Sequence, residues 1–200
     1  MSVKSLRAEH AEKTRAALLT AARELFAKKG YADVSAEEIV ANARVTRGAL
    51  YHHFKDKKDL FGAVCDDVGA ELTARVEAAG RAAAEKSDAL GGILAGIDAY
   101  LDECVQGEFH RIVLVDAPAV HGWDEWRKHA EEHELGLIKL ALQLAMDEGA
   151  IRKQPVDTLA ALLFGAFTEG AMLIGQAEDR KAARRNVGRA VRVLLEGLRA

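Results

Sequence analysis

The fold is decided by two helical turns that combine apolar, aromatic, cationic and imidazole side chains: Thr46-Arg47-Gly48-Ala49-Leu50-Tyr51-His52-His53-Phe54. Leu50 and Phe54 are four residues apart, so they share one face of a helix and can anchor it to a core. Gly48 and Tyr51 lie on the opposite side, with Arg47 on the flank. A glycine early in a helix costs about 1 kcal/mol relative to alanine, and close approach of the backbone to a partner is one reason to keep it. The pattern favours contact with a large anionic surface.

A second short helix is predicted immediately before this stretch. Ser35 is placed to accept a hydrogen bond from the amide of Glu38, with the glutamate reaching back, and this capping box opens a helix over residues 36–42. After a turn at residues 43–45, the hydroxyl of Thr46 caps the next helix. Two short helices joined by a tight turn, the second presenting polar groups, predict a helix-turn-helix.

This region resembles the TetR family of transcriptional regulators. The matching residues keep a fixed spacing over roughly the first third of the chain, and they are Leu25-Phe26, Gly30-Tyr31, Ile39, Val45, Thr46, Gly48, Leu50-Tyr51, His53-Phe54, Lys57 and Leu60-Phe61. The resemblance implies a homodimer that binds a palindromic operator in double-stranded DNA. It also implies repression and release by a small apolar effector, and we expect no cofactor.

Composition and charge agree with a helical protein that has one basic end. The chain of 200 residues has 2 prolines and 6% aromatic residues, and it is rich in alanine, leucine, glutamate and arginine, which favour helix. The net charge is only -3, but residues 1–60 carry 12 Lys and Arg against 8 Asp and Glu, whereas the remainder carries 16 against 23. A basic end on an acidic body is expected where one end meets phosphate.

The rest of the chain also reads as helices. A first helix is expected from about Glu9 to Lys29, and a long helix follows the helix-turn-helix with apolar residues at a four-residue step. We therefore predict an all-α fold of about nine helices. The predicted parts are a three-helix helix-turn-helix DNA-binding domain at 1–55, a connecting helix at 56–84, and a larger effector-binding and dimerisation domain at 85–200.

One apolar run allows two interpretations. Ile112-Val113-Leu114-Val115 is short enough for a buried strand, but no neighbouring segment is suited to pair with it. We interpret Phe109 to Ala117 as a short buried helix that Pro118 stops.

The sequence favours a cytoplasmic protein that does not span a membrane. Cys65 and Cys104 are isolated and form neither a disulfide framework nor a metal-ligand spacing. The first residues are polar where a signal peptide would be apolar. The most apolar region, residues 159–177, is interrupted by Glu169 and is rich in glycine, so it falls short of a membrane span.

The resemblance assigns most of the DNA contacts to the second helix of the helix-turn-helix. Arg47 is the candidate for reading a guanine, and His53 and Lys57 are expected on phosphate. The full set of predicted DNA-binding residues is Ser35, Thr46, Arg47, Gly48, Ala49, Tyr51, His52, His53 and Lys57. Basic residues near the start are either solvated or touch the DNA backbone, and these are Lys4, Arg7, Lys13 and Arg15.

Two C-terminal helices are predicted to form a two-fold dimer interface. The helix from about Val156 to Ala177 is apolar on too many faces for a monomer to cover, and the helix from about Asp179 to Arg199 adds a second apolar stripe. The resemblance implies the same four-helix interface. The predicted interface residues are Leu159, Leu162, Leu163, Ala166, Gly170, Leu173, Val187, Val191 and Leu194.

The resemblance also implies an apolar effector cavity in the remaining helices. Aromatic and aliphatic residues would supply its walls, and a few polar residues would supply anchors. The predicted lining is Leu94, Ile97, Tyr100, Leu101, Cys104, Phe109, His110, Asp116, His121, Trp123, Trp126, Phe164 and Phe167. For the aromatic members, an ordinary place in the core is the alternative interpretation.

Two other classes of protein remain as alternatives. His129 and His133 are four residues apart on a predicted helix, as in a metal-dependent enzyme, but no third ligand has a definite spacing. His52 and His53 are adjacent, so they do not face one another for acid–base chemistry. The other alternative is a helical module whose helix-turn-helix binds protein. We predict a regulator without a metal site, and not an enzyme.

Overall fold

This computed structural model describes residues 3–105 and 107–200, except for the side chains of residues 3–7 and 133. Within this part of the chain, the regular elements are helices. A single bridge between Ile151 and Arg199 is the exception there. The all-α fold is thus confirmed. In chain order the elements are α1 Val3–Lys29, α2 Ala36–Asn42, α3 Arg47–His53, α4 Lys57–Ala84, α5 Ala89–Glu103, a π-helix Phe109–Asp116, α6 Ala117–His121, α7 Trp123–Asp147, α8 Val156–Gln176 and α9 Arg180–Glu196.

The first three helices, here called the head, enclose one apolar core. Phe26 of α1, Ile39 of α2 and Leu50 of α3 are fully buried, and Phe54 is nearly so. The Phe26 ring also meets the Phe61 ring of α4 edge to face, with 5.1 Å between centroids. The head core therefore continues into α4 without a gap.

The predicted side-chain caps at Ser35 and Thr46 form, but the Glu38 carboxylate pairs with Lys29 and the described residues show no return bond to the Ser35 amide. The Ser35 hydroxyl accepts from the amide of Glu38 at 3.1 Å, and the Thr46 hydroxyl accepts from the amide of Ala49 at 3.2 Å. Arg44, in the turn between α2 and α3, has φ of 55°. This left-handed conformation costs a residue other than glycine roughly 1 to 2 kcal/mol, so the tight turn is locally strained.

The long helix α4 joins the head to the remaining helices α5–α9, here called the body. Asp56 caps it by accepting from the amide of Asp59 at 2.8 Å. Its C-terminal half packs closely on α5, because glycines meet there: a Cβ on Gly92 would lie 2.8 Å from the Gly80 carbonyl oxygen. The backbones of α4 and α5 are thus in direct contact.

The apolar run at 112–115 is helical, as predicted, but Pro118 does not stop it. Residues 109–116 form a π-helix that passes directly into α6, and the chain stays helical to His121. Pro118 lies in the first turn of α6, where its missing N–H costs least, so the predicted end at Pro118 is wrong. Gly122, with φ of 91°, ends the segment instead.

Two other boundaries differ from the sequence prediction. Helix α1 begins at Val3 rather than near Glu9. Helix α9 ends at Glu196, three residues early.

The body has two apolar clusters that share residues of α5 and α9. One cluster continues from α4 into the π-helix, and the other joins α5, α7, α8 and α9; Ile97, Tyr100 and Val187 contact both. Helix α8 is long and apolar enough to cross a membrane by length and composition, but half of its most apolar window is buried in the protein. It packs on α7 and α9, as a core helix does.

Candidate DNA interface and effector region

Helix α3 separates its apolar and polar sides as the sequence predicts. Leu50 lies in the head core, whereas Tyr51 is 46% exposed and His52 is exposed beside it. The cap at Thr46 fixes where the helix begins, so these side chains have a defined direction. The outward face of α3 is therefore a preformed polar surface.

Arg47 is held in place at the start of this surface. Its guanidinium lies 3.0 Å from the Glu37 carboxylate and 5.6 Å from the centroid of the Tyr51 ring. The hydrogen bond with Tyr51 and the charge of Glu37 raise the pKa of Arg47, which is therefore always cationic. Exposed ion pairs are weak, so Arg47 can exchange Glu37 for another acceptor at low cost.

The internal packing of the protein does not require a glycine at position 48. Among the described residues, a Cβ built there would meet only the Thr46 hydroxyl, at 3.9 Å. Its backbone φ is not in the left-handed region either. The missing side chain leaves the backbone of α3 accessible from outside.

Lys57 is turned inward in this structure. Its ammonium donates to the carbonyl oxygens of Tyr31 at 3.0 Å and Val34 at 2.9 Å, and lies 4.0 Å from the centre of the Tyr31 ring. Lys57 thus holds the loop between α1 and α2 in place. A substitution there would change internal contacts together with any phosphate contact.

The other basic candidates also have internal partners where their side chains are described. Lys13 pairs with Glu9 at 2.8 Å, and the Arg15 guanidinium lies 5.4 Å from the centroid of the Phe54 ring. Lys4 and Arg7 belong to α1, but their side chains lie outside the described set.

The histidine pair on α7 does not gain a metal site within the described residues. His129 Nε2 lies 2.9 Å from an Asp66 carboxylate oxygen. The side chain of His133 is outside the described set. Across the residues that are described, no group of three His, Cys, Asp or Glu residues has metal-binding geometry.

Four of the predicted effector residues lie near the junction of head and body rather than in the body interior. His121 and Trp126 line an open cleft of about 590 Å³ between the head, α4, α6 and α7. Trp123 is 42% exposed. Asp116 accepts a hydrogen bond from the backbone amide of Tyr31 at 2.8 Å. The sequence grouped them with the interior because it shows polarity but not which neighbour each side chain meets.

The remaining effector candidates lie inside the body but are divided between its two apolar clusters. Tyr100 and Phe109 meet edge to face with centroids 6.1 Å apart, and the Cys104 thiol lies 3.3 Å from the Tyr100 carbonyl oxygen. Leu94 and Phe167 belong to the other cluster, and Ile97 and Tyr100 contact both. This interior set consists of Leu94, Ile97, Tyr100, Leu101, Cys104, Phe109, His110, Phe164 and Phe167.

The body interior also contains a carboxyl that the sequence analysis missed. Glu134 of α7 faces α5, where its charge raises the pKa of both Tyr100 and Cys104. Burial raises the pKa of Glu134 itself to about 7. The signal was available, because Glu134 lies one turn before Ile138 and two turns before Leu142, on the inward face of α7.

His110 is the second polar group in this interior. It is 6% exposed, and among the described residues its Nδ1 has no hydrogen-bond partner. Burial and the charge of Arg180 lower its pKa, so the imidazole is neutral. Its ring lies against α8, where a Cβ on Gly175 would be 3.6 Å from Nδ1.

The π-helix connects this interior to the head. Arg111, next to His110, donates to the Lys29 carbonyl at the end of α1 at 3.2 Å, and Asp116 holds the Tyr31 amide. A third link is Arg23 of α1, which bonds carboxylates of α4 and Glu108. These bonds tie the position of the head to the π-helix.

The C-terminal helices have an apolar face that the protomer leaves uncovered. Leu162 is 69% exposed, and Leu173 and Leu194 are also exposed. Val193, which the sequence analysis did not select, is exposed beside Leu194. The face continues into a groove of about 560 Å³ on α9.

Not every predicted interface residue belongs to this face. Leu163, Gly170 and Val191 are buried within the protomer. Gly170 packs against α9, where a Cβ would lie 2.8 Å from a Val187 methyl. Because α8 is apolar around its circumference, its sequence does not distinguish the two faces. Leu159, Ala166 and Val187 are half-buried.

Two family models match the chain. Residues 18–64 match the model for bacterial regulatory proteins of the tetR family, and residues 90–198 match the tetracyclin repressor-like C-terminal domain. The second model alone covers more than half of the chain, and together the two models match residues of both the head and the body.

Individual proteins are also similar to this chain in sequence. The Transposon Tn10 TetC protein of Escherichia coli is 30% identical over 171 residues, which are 84% of this chain and 83% of that protein. The HTH-type transcriptional repressor Rv3405c of Mycobacterium tuberculosis is 44% identical over 62 residues, 31% of this chain and 33% of that protein.

A solved structure extends the similarity to nearly the whole fold. The crystal structure of a TetR-family transcriptional regulator from Pectobacterium atrosepticum has a TM-score of 0.84 and 35% identity, covering 96% of this chain and 97% of that one. Proteins of this kind bind DNA, act as dimers and are not enzymes. The chain belongs to the TetR family of DNA-binding transcriptional regulators.

Proposed function

We propose that this regulator is a repressor that binds a palindromic operator as a homodimer and leaves it when a small apolar effector enters the body. The observation that carries the DNA-binding part is the division of α3. Its inward side is fixed by Leu50 and by the Thr46 cap, while Arg47, Gly48 and Tyr51 have their outward sides free of protein packing.

In this proposal α3 enters the major groove. Arg47 exchanges its ion pair with Glu37 for the edge of a guanine, which accepts two parallel hydrogen bonds from a guanidinium. Gly48 lets the backbone approach the DNA. The surrounding polar groups position the helix on phosphate and sugar, and the proposed contacts are Ser35, Thr46, Arg47, Gly48, Ala49, Tyr51, His52 and His53.

The dimer is proposed to form through the uncovered face of α8 and α9. Four large apolar side chains are exposed on it, which are Leu162, Leu173, Val193 and Leu194. Pairing two copies around a two-fold axis would bury this face on both. The two α3 helices would then read major grooves about 34 to 36 Å apart.

The effector is proposed to enter the interior bounded by α5, the π-helix, α7 and α8. A ligand changes DNA affinity only if it binds the two arrangements of the heads differently. The bonds from Arg111 to Lys29 and from Asp116 to Tyr31 supply the physical connection. Displacement of the π-helix would move the end of α1 and, with it, the spacing of the recognition helices.

The first experiment is selection of bound duplexes from random DNA by the full chain, followed by affinity measurements on the selected duplex. We expect a palindrome. The variant with Arg47→Ala and Tyr51→Ala should lose the preference while keeping its far-UV circular dichroism. Lys28→Ala, which removes an exposed positive charge from α1, serves as a control. A selected sequence without two-fold symmetry would contradict the operator proposal.

The dimer has its own test. Leu194→Glu places a charge on the uncovered face and should convert the dimer to a monomer in sedimentation at micromolar concentration. Leu140→Glu alters a leucine on α7 that is more exposed than Leu194, and it should leave the dimer intact. A stable wild-type monomer would remove the dimer proposal.

Effector release requires a third measurement. Hydrophobic compounds that raise the melting temperature of the protein are added to the complex with the selected duplex. An allosteric coupling of about 1 to 3 kcal/mol predicts a fall in DNA affinity of roughly 5- to 150-fold. Compounds that bind the body and leave DNA affinity unchanged would contradict release.

A further inference from the structure

A carboxylate interrupts the uncovered apolar face of α8. Glu169 lies between Leu162, seven residues earlier, and Leu173, four residues later, so the three side chains share one side of the helix. The two leucines are 69% and 54% exposed in the protomer, and Glu169 is exposed with them. A partner that covers both leucines would therefore cover the carboxylate as well.

Glu169 is unpaired within the described part of its own protomer. No ion pair or hydrogen bond joins its carboxylate to the residues that the structure describes. In water a carboxylate needs no such partner, but burying one without a hydrogen-bonded counter-ion is strongly unfavourable. If this face is covered, the covering surface must therefore bring a cation to this point.

The other helix of the face carries such a cation. Arg189 lines the groove of about 560 Å³ on α9, between the exposed side chains of that helix. It is exposed and has no carboxylate partner among the described residues. Arg184 and Arg192 of the same helix, by contrast, are bonded to Asp98 of α5. Arg189 is thus free to bind a carboxylate of another molecule.

The two unpaired charges lie at the same level along the helices. Helices α8 and α9 run antiparallel, because only residues 177–179 join them and they pack side by side. They meet at Gly170, where a Cβ would lie 2.8 Å from a Val187 methyl. Glu169 is one residue from this contact on α8, and Arg189 is two residues from it on α9.

A two-fold axis perpendicular to the middle of the face would bring opposite charges together. Leu162 and Leu194 lie toward one end of the face and Leu173 toward the other, so Glu169 and Arg189 are near its centre. Such an axis places the same region of each subunit against the other, and every contact between two different residues then occurs twice. Glu169 of each subunit would meet Arg189 of the other.

We propose that two symmetric ion pairs, each between Glu169 of one subunit and Arg189 of the other, set the register of the dimer and select a second copy of this chain as the partner. The inference rests on the dimer face proposed above and deepens it by naming the charges that recognise the partner. An apolar surface without a cation at this position would leave Glu169 buried and unpaired. The pairs therefore discriminate between partners, as complementary charges across an interface do.

Charge reversal tests the pairs. Glu169→Arg sets arginines of the two subunits against each other, and Arg189→Glu does the same with carboxylates. Like charges across an interface are strongly unfavourable, so each variant alone should raise the dimer dissociation constant at least about 100-fold in sedimentation equilibrium. Both side chains are exposed in the protomer, so the far-UV circular dichroism of each variant should stay that of a helical protein.

Mixing the two variants gives a sharper result, and it holds even if a variant alone is poorly folded. A dimer of one Glu169→Arg chain and one Arg189→Glu chain has both ion pairs, with their charges exchanged. The equimolar mixture should form a heterodimer within about 10-fold of the wild-type affinity, which native mass spectrometry identifies by its mass. A chain that carries both substitutions should form a homodimer again.

Arg185→Glu is the matched control on α9. Arg185 is exposed one turn before Arg189, but it does not line the groove. Its reversal should change the dimer dissociation constant by less than about 3-fold, as expected for an exposed charge. It should also fail to restore a dimer when mixed with Glu169→Arg. Rescue by Arg185→Glu in place of Arg189→Glu would overturn the assigned pair.

Other results would also overturn the inference. If Glu169→Arg dimerises with wild-type affinity, the carboxylate lies outside the interface. If the chain with both substitutions regains the dimer but the mixture does not, the pair forms within one protomer. Leu194→Glu separates these failures from failure of the proposed dimer face. A dimer that survives Leu194→Glu means that the face is wrong, whereas a monomer there, with no rescue by mixing, rejects the ion pairs alone.

Discussion

The head and the body use the same helical architecture but place their polar side chains on opposite sides of the apolar core. In the head, Arg47 and Tyr51 lie on the outside of α3, and Leu50 is buried. In the body, the His110 imidazole is buried, and its Nδ1 has no hydrogen-bond partner among the described residues. The polar side chains of α3 are thus open to solvent, whereas this polar group of the body is enclosed by packed helices.

The largest expected effect tests whether head and body are separate folding units. Phe26 is fully buried and contacts Phe61 of α4, so its apolar cluster extends beyond the head. Phe26→Ala should lower the free energy of unfolding by about 3 to 5 kcal/mol. Urea unfolding followed by circular dichroism should show one transition, as in the exposed-site control Lys28→Ala. Two separate transitions would mean that the head melts on its own.

The second prediction concerns the carboxyl of Glu134 in the body. Glu134 has an ordinary pKa of 4.5 and a pKa of about 7 in the folded protein, so the unfolded chain ionises first as pH rises. Stability should therefore be greatest below about pH 4.5 for this group, fall between pH 4.5 and 7, and then level off. The contribution is about 2 to 4 kcal/mol.

Glu134→Gln should remove this dependence and make the protein more stable than the wild type at about pH 8. The measurement is urea unfolding at a series of pH values, with Glu131→Gln as the exposed control on α7. If Glu134→Gln and the wild type show the same pH profile, the carboxyl is solvated and the body interior is not as described.

The sequence predicts contacts between residues that are close along the chain, and it does not predict those between residues that are far apart along it. The caps at Ser35 and Thr46 were predictable because each donor is three residues away. Lys57 was not, because its two carbonyl partners lie in a loop more than twenty residues earlier. Glu134 was passed over because α7 was identified by its apolar residues alone. The helical segment continues through Pro118 because the π-helix changes to an α-helix at Ala117, and the spacing of apolar residues does not reveal such a change.

The third prediction tests the outward donors of the head. Arg47→Ala should reduce discrimination at one base pair of the selected duplex by roughly 10- to 100-fold, since a bidentate contact to guanine is lost. Glu37→Gln should not reduce it, because it removes only the resting partner of Arg47. Competition binding with single-base variants of the duplex measures both. Unchanged base preference in Arg47→Ala would assign the reading to another residue.

The smallest expected effect is that of Gly48→Ala in α3, which should change stability and DNA affinity in opposite directions. A Cβ at Gly48 fits the protein, since its one close neighbour is the Thr46 hydroxyl at 3.9 Å. Gly48→Ala should therefore raise stability by up to about 1 kcal/mol through helix propensity, and by less if the first turn of α3 is frayed. The same methyl group would occupy the space through which the backbone approaches DNA, so affinity for the selected duplex should fall. Gly69→Ala is the matched control, because Gly69 of α4 has no neighbour within 4 Å of the added Cβ among the described residues. It should gain similar stability and keep full DNA affinity. If Gly48→Ala also keeps full affinity, the backbone of α3 does not approach the DNA closely, and the head would bind through its side chains alone.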